Sequence, residues 1–157
     1  MCNMKNNLGF TVVEIAVVLT IMAILLTMAS MSLSSSEKGS RDNERRADLS
    51  MMAQCLESNF NNTQEYFGTI ADMEKCPKSA EFMTPPKASA PATVLATNNT
   101  TTVSGVHPLP TKDTYVFQPL TATGALCTAP ATMPCVNYNL YYFSELENVV
   151  NKVPRTR

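Results

Sequence analysis

The hydrophobic pattern divides the chain sharply. From Phe10 to Leu33 it reads FTVVEIAVVLTIMAILLTMASMSL, an aliphatic run whose one charge is Glu14. A helix rises about 1.5 Å per residue, so this run spans about 36 Å and exceeds a hydrocarbon core of about 30 Å. Beyond it, Leu49, Met52, Ala53, Leu56 and Phe60 recur at helical spacing. They predict an amphipathic continuation whose apolar stripe covers a sheet. Unbroken from Phe10 to about Phe60, the helix is about 75 Å long, with Gly39 and the serines of 34–36 as places where it could kink. Between the two apolar parts lie Arg41, Asp42, Glu44, Arg45, Arg46 and Asp48. The spacings Arg41–Glu44, Asp42–Arg45 and Asp42–Arg46 suit helical ion pairs worth about 0.2–0.5 kcal/mol each, and the stretch reads as a solvated helix face.

The second half has a different grammar. Residues 77–112 are rich in Pro, Ala and Thr and read as a long surface loop with one short strand near Thr93–Ala96. His107, between Val106 and Pro108, reads as an exposed loop residue. TYVFQPL places Tyr115 and Phe117 on one side of a strand. VNYNLYYF places Tyr138, Leu140 and Tyr142 on one face and Asn137, Asn139 and Tyr141 on the other. A short last strand runs through Val149–Val150, and the tail from Pro154 is expected to be free. Asn61-Asn62-Thr63 and Asn98-Asn99-Thr100 are only weak glycosylation signals.

Composition narrows the function. The chain has 157 residues, enough for one domain and an accessory segment. Its 12 Lys+Arg against 13 Asp+Glu exclude a polybasic surface for non-specific nucleic-acid binding. A single histidine argues against a multi-histidine metal site, and no phosphate-binding glycine loop, zinc spacing or catalytic triad is evident. No cofactor, metal or enzymatic activity is expected.

The apolar run has two ordinary readings. A cleaved secretory signal has an apolar region of about 7–15 residues and a small-residue cleavage site, which this longer run lacks. An uncleaved signal anchor fits the length. Neither accounts for Glu14, because a carboxylate inside a bilayer costs about 2.5–3.5 kcal/mol and usually has a partner. Lys5 is the one cation before the run, and none follows until Lys38. That asymmetry favours a cytoplasmic N-terminus and an outward-facing remainder.

The segment GFTVVEIAVVLTIMAIL, with Gly9-Phe10, Thr11 and Glu14 at fixed spacing, resembles the class III signal of type IV pilins and pseudopilins. The resemblance implies cleavage after Gly9 by a prepilin peptidase and N-methylation of Phe10. It also implies pairing of Glu14 with the Phe10 amine of a neighbouring subunit. The implied fold is α+β: a long N-terminal helix with a small antiparallel sheet packed on its second half. The expected organisation is a leader at 1–9, a transmembrane and filament-core helix at 10–33, its amphipathic continuation at 34–67, and a β-rich head at 68–157. Partners would be identical or related pilin subunits, the peptidase, the pilus assembly platform and the membrane. The protein would be held in the membrane before assembly and lie in an extracellular filament afterwards. The alternatives are a pseudopilin of a type II secretion or competence system, and a signal-anchored ligand-binding ectodomain that never polymerises.

The pairing also has a physical basis. An α-amine and a carboxylate are both charged at neutral pH, and each is costly alone in a low-dielectric bundle. Together they offset much of that cost and could pin the register between subunits.

Cys2 falls in the leader, leaving Cys55, Cys76, Cys127 and Cys135. An even number in an outward-facing domain suggests two disulfides with three possible connectivities. Cys55–Cys76 and Cys127–Cys135 are favoured, the first tying the helix to the loop after it. A reduced set is the alternative; zinc would need paired short spacings that do not occur.

Overall fold

The computed structural model describes residues 10–127 and 132–153, apart from the side chain of Met31. The predicted leader with Lys5 and Gly9, and the tail from Pro154, lie outside the described residues. The chain falls into two compact units, one ending at Glu37 and the other beginning at Lys38. Helix α1, Val12–Thr63, contributes to both. Its backbone remains helical through the serines at 34–36 and through Gly39. It stops at Thr63, short of the expected 67, where Gln64 takes a left-handed backbone (φ 62°) and its N–H donates to the Phe60 carbonyl at 2.8 Å.

In the first unit, the helix exposes its aliphatic side chains all round. Thr20, Thr27 and Ser30 return their hydroxyls to the carbonyls of Val17, Ile24 and Leu26 at 2.7–2.8 Å. The segment therefore presents few unsatisfied polar groups to an apolar solvent, the condition for spanning a membrane. Its most apolar 18 residues have a mean hydropathy of 2.6, long and apolar enough to cross a bilayer.

The second unit is α+β. After α1 come two short helices, α2 (Ile70–Met73) and α3 (Ser79–Phe82). Four strands follow: β1 (Thr93–Leu95), β2 (Tyr115–Leu120), β3 (Asn137–Ser144) and β4 (Val149–Val153). They form one sheet in the order β1-β2-β3-β4. The β2–β3 and β3–β4 pairs are antiparallel as expected, but β1 runs parallel to β2, so the sheet is mixed. A parallel neighbour requires the chain to cross back over the sheet, and residues 96–114 supply that crossing. Pro119 sits in β2 beyond the end of β1, whose last partner is Phe117, so its missing N–H interrupts no β1 pairing.

The strand alternation builds two cores. Tyr115, Phe117, Tyr138, Leu140 and Tyr142 face α1 and bury Leu49, Met52, Ala53 and Leu56. On the other face, Val116 and Tyr141 pack with Ala96 and Val106. The 77–112 segment is therefore more than a surface loop: Phe82, Met83, Ala96 and Val106 in it are buried, while His107 is exposed. Two glutamine bonds fasten it down. Gln118 Nε2 donates to the carbonyls of Asn98 and Thr100 at 2.9 and 2.6 Å, and its Oε1 accepts from Asn139 and Tyr141.

Disulfides join Cys55 to Cys76 and Cys127 to Cys135, with Cα–Cα distances of 6.3 and 5.5 Å. The first ties α1 to the end of the α2 turn, and the second closes a short connection before β3.

Candidate functional site

The N-terminal residues are arranged by the start of α1. Thr11 is its cap: Oγ1 accepts from the Glu14 N–H at 3.2 Å, and its carbonyl accepts from Glu14 and Ile15 at 3.1 and 3.3 Å. Thr11 and Glu14 thus have the T-x-x-E spacing of a capping box, and Glu14 sits in the first turn, where a carboxylate complements the helix dipole. Phe10 precedes the cap and is 79% exposed. Among the described residues, Glu14 forms no side-chain ion pair within the chain. Phe10 and Glu14 are therefore both presented outward near the same helix terminus, while Gly9 lies outside the described residues.

This end is surrounded by exposed apolar surface. Val12, Val13, Ile15, Val17, Val18 and Leu19 all lie on the outside of the first two turns of helix or just beyond. A monomeric soluble protein rarely exposes so large a contiguous apolar patch, and such patches mark membrane or protein contacts.

A second constellation joins α1 to the head, and little in the local residue pattern announces it. Asp42, Arg45 and Asp48 are buried, continuing the face of Leu49, Met52 and Leu56 by two turns. The expected solvated face is thus corrected. Arg45, 1% exposed, donates to Asp42 Oδ1 at 2.9 Å, Glu145 Oε1 at 2.5 Å and the Lys112 carbonyl at 2.9 Å. Arg41 forks onto Glu145 at 2.6 and 3.0 Å. Asp42 also accepts from the Ser144 hydroxyl and from the N–H groups of Glu145 and Leu146, at 2.7–3.0 Å. Of the pairs expected along the helix, Asp42–Arg45 forms, while Arg46 Nε donates to the Tyr142 hydroxyl at 2.7 Å.

Electrostatics follow this geometry. Burial pushes the Asp42 carboxyl up, but the bonds from Leu146, Ser144, Glu145 and Arg45 together hold it below the ordinary range. Arg41 and then Arg45 bring Glu145 down to about 2 against a smaller effect of burial. Asp48 has no such escort. Burial pushes it up to about 6, although the Tyr115 hydroxyl donates to it at 2.6 Å. The signal available in the sequence was positional: Asp42, Arg45 and Asp48 share the helical face of the apolar stripe. Their partner Glu145 lies about 100 residues away and had no local mark.

Comparison with curated proteins and with solved structures gives no match. Residues 4–30 match the family model of the prokaryotic N-terminal methylation motif. By that segment the chain is identified as carrying the class III prepilin signal of type IV pilins and pseudopilins, which runs into the first turns of a long helix that, with a small mixed sheet, is consistent with their fold.

Proposed function

We propose that this protein is a structural subunit of a type IV pilus-like extracellular filament. The leader is removed after Gly9, Phe10 is N-methylated, and the apolar helix anchors the subunit in the membrane until it packs against neighbouring helices. The observation carrying this reading is the methylation motif at the head of a helix whose aliphatic side chains are exposed on every side. Such a surface needs lipid or other helices around it. Glu14 supports the assembly step, because a carboxylate directed outward from that surface is costly until an opposite charge reaches it. The amine of Phe10 in an adjoining subunit is the partner we assign. The role is structural, and the peptidase acts on the chain as its substrate.

The test is the N-terminal peptide of protein recovered from the producing cells. Mass spectrometry should find it beginning at methylated Phe10, and Gly9→Val should abolish that species. Mature Phe10 from the Gly9→Val protein would overturn the processing step. Filaments sheared from cells and quantified for this chain then separate a principal subunit from a pseudopilin: abundance in long filaments supports the pilus reading, and its absence from them favours the secretion or competence alternative.

A further inference from the structure

The buried charge network faces one end of the head, and it controls what that end displays. β3 runs opposite to α1: Tyr138 at its start meets Glu57, and Ser144 at its finish meets Asp42. The β3–β4 turn therefore lies at the end of the head where α1 enters. Asp42 holds the turn by the Glu145 and Leu146 N–H groups, and Arg41 and Arg45 draw the Glu145 carboxylate inward. What remains outward is Leu146, 53% exposed, with Val149 close behind it in the chain at 46%. Leu146 leans on Gly39, where an added Cβ would lie 4.0 Å from its Cδ2. The loop before β2 reaches the same end at Lys112, whose carbonyl meets Arg45.

Leu146 is the most exposed large aliphatic side chain among the described residues of the head, and Val149 is paired with Ser144 across the same turn. Both lie at the end that is tethered to the apolar segment. Gly39 follows Leu33 by six residues, no more than about 21 Å of chain even when fully extended. A bilayer of about 40–45 Å in total has headgroup layers reaching about 6 Å beyond its hydrocarbon core. The exposed cations Lys38 and Lys112 accompany the aliphatic residues, and acids Asp113 and Glu147 lie beside them, so the surface is nearly balanced in charge and its distinguishing feature is apolar. Aliphatic tips with long cationic neighbours suit the boundary between headgroups and acyl chains.

We propose that, before assembly, this end of the head docks on the membrane surface, with Leu146 and Val149 inserted at the headgroup boundary. The proposal rests on the reading that the Val12–Leu33 segment is embedded in the bilayer, and the experiment separates the two. The full chain carrying Cys2→Ser is reconstituted into phosphatidylethanolamine–phosphatidylglycerol vesicles with an environment-sensitive fluorophore at Leu146→Cys, Val149→Cys or Ala122→Cys. Ala122 is exposed in the connection at the opposite end of β2. Intact disulfides are verified by non-reducing peptide mapping, and vesicle flotation reports insertion. Spin-labelled lipids quenching the Leu146 and Val149 probes several-fold more strongly than the Ala122 probe would support docking. Either of the first two positions suffices if the other variant misfolds. Flotation with equal, weak quenching at all positions overturns docking and leaves the embedded helix standing. Shielding of Leu146 that rises with protein-to-lipid ratio, without lipid quenching, assigns this end to a second copy of the chain and also overturns it. Failure to float overturns the embedded-helix reading itself.

Discussion

Arg45 is the substitution that most directly tests how α1 is joined to the head. Its guanidinium is 1% exposed and bridges Asp42, Glu145 and the Lys112 carbonyl. Arg45→Met keeps much of the side-chain volume and removes the charge. Breaking a buried ion pair by deleting one partner costs about 3–5 kcal/mol, because the remaining charge is left uncompensated. Two features bring the expectation to the low end, about 3 kcal/mol. Asp42 retains three hydrogen bonds from Ser144, Glu145 and Leu146, and Glu145 retains Arg41. Arg45 Nε is itself buried with no hydrogen-bond partner among the described residues, so the variant also removes an unsatisfied donor. At about 2–4 °C per kcal/mol for a chain of this size, the melting temperature should fall by about 6–12 °C. Since the chain has no Trp, the readout is near-ultraviolet circular dichroism of the buried tyrosines, taken on the full chain in detergent. Arg45→Lys should lie between, being charged but unable to fork onto two carboxylates. Combining Arg45→Met with Glu145→Gln should cost less than the sum of the single changes, because the stranded charge is gone. A loss below about 1 kcal/mol for Arg45→Met is the behaviour of a surface ion pair and would refute the bridging role.

Acid titration should show two opposed effects in the same unfolding signal. Asp48, raised from 3.8 to about 6, makes the folded state bind more protons than the unfolded state between those values, so its contribution falls as pH rises from 4 to 6, by up to about 3 kcal/mol. Glu145, lowered from 4.5 to about 2, stabilises fully above 4.5 and loses that contribution as pH falls toward 2. Asp48→Asn should flatten the decline between pH 4 and 6 and leave the acid limb; an unchanged profile would sink the assignment. Glu14→Val should insert in the membrane and be cleaved normally, yet the ratio of sheared to membrane-held protein should drop, since an unpaired buried amine costs about 3–5 kcal/mol; Glu14→Asp should be intermediate, and equal ratios would remove the pairing. Non-reducing peptide maps should give Cys55–Cys76 and Cys127–Cys135, and replacing either pair with alanine should cost about 3 kcal/mol, more for the longer 55–76 loop. Recovery of a Cys55–Cys127 peptide would contradict that connectivity.

Local pattern was enough to reveal much of this molecule. The apolar run from Phe10 to Leu33, the helical stripe through Leu56 and the two-residue alternation of Tyr138, Leu140 and Tyr142 each state an element and a face, because side-chain direction repeats with the backbone period. The methylation motif is equally local, a few residues at fixed spacing. Tertiary structure decided the rest. Residues 77–112 have the composition of a loop, yet Val106 and Ala96 cover the second sheet face because Gln118, its oxygen held by Asn139, satisfies the Asn98 and Thr100 carbonyls of the backbone that passes over it. The parallel pairing of β1 depends on that same crossing. Asp42, Arg45 and Asp48 look like any hydrophilic helix turn. Only the arrival of Ser144 and Tyr115 from distant strands, and of Glu145 from the β3–β4 turn, makes their burial possible, since a charge can leave water only where its partners have already been assembled.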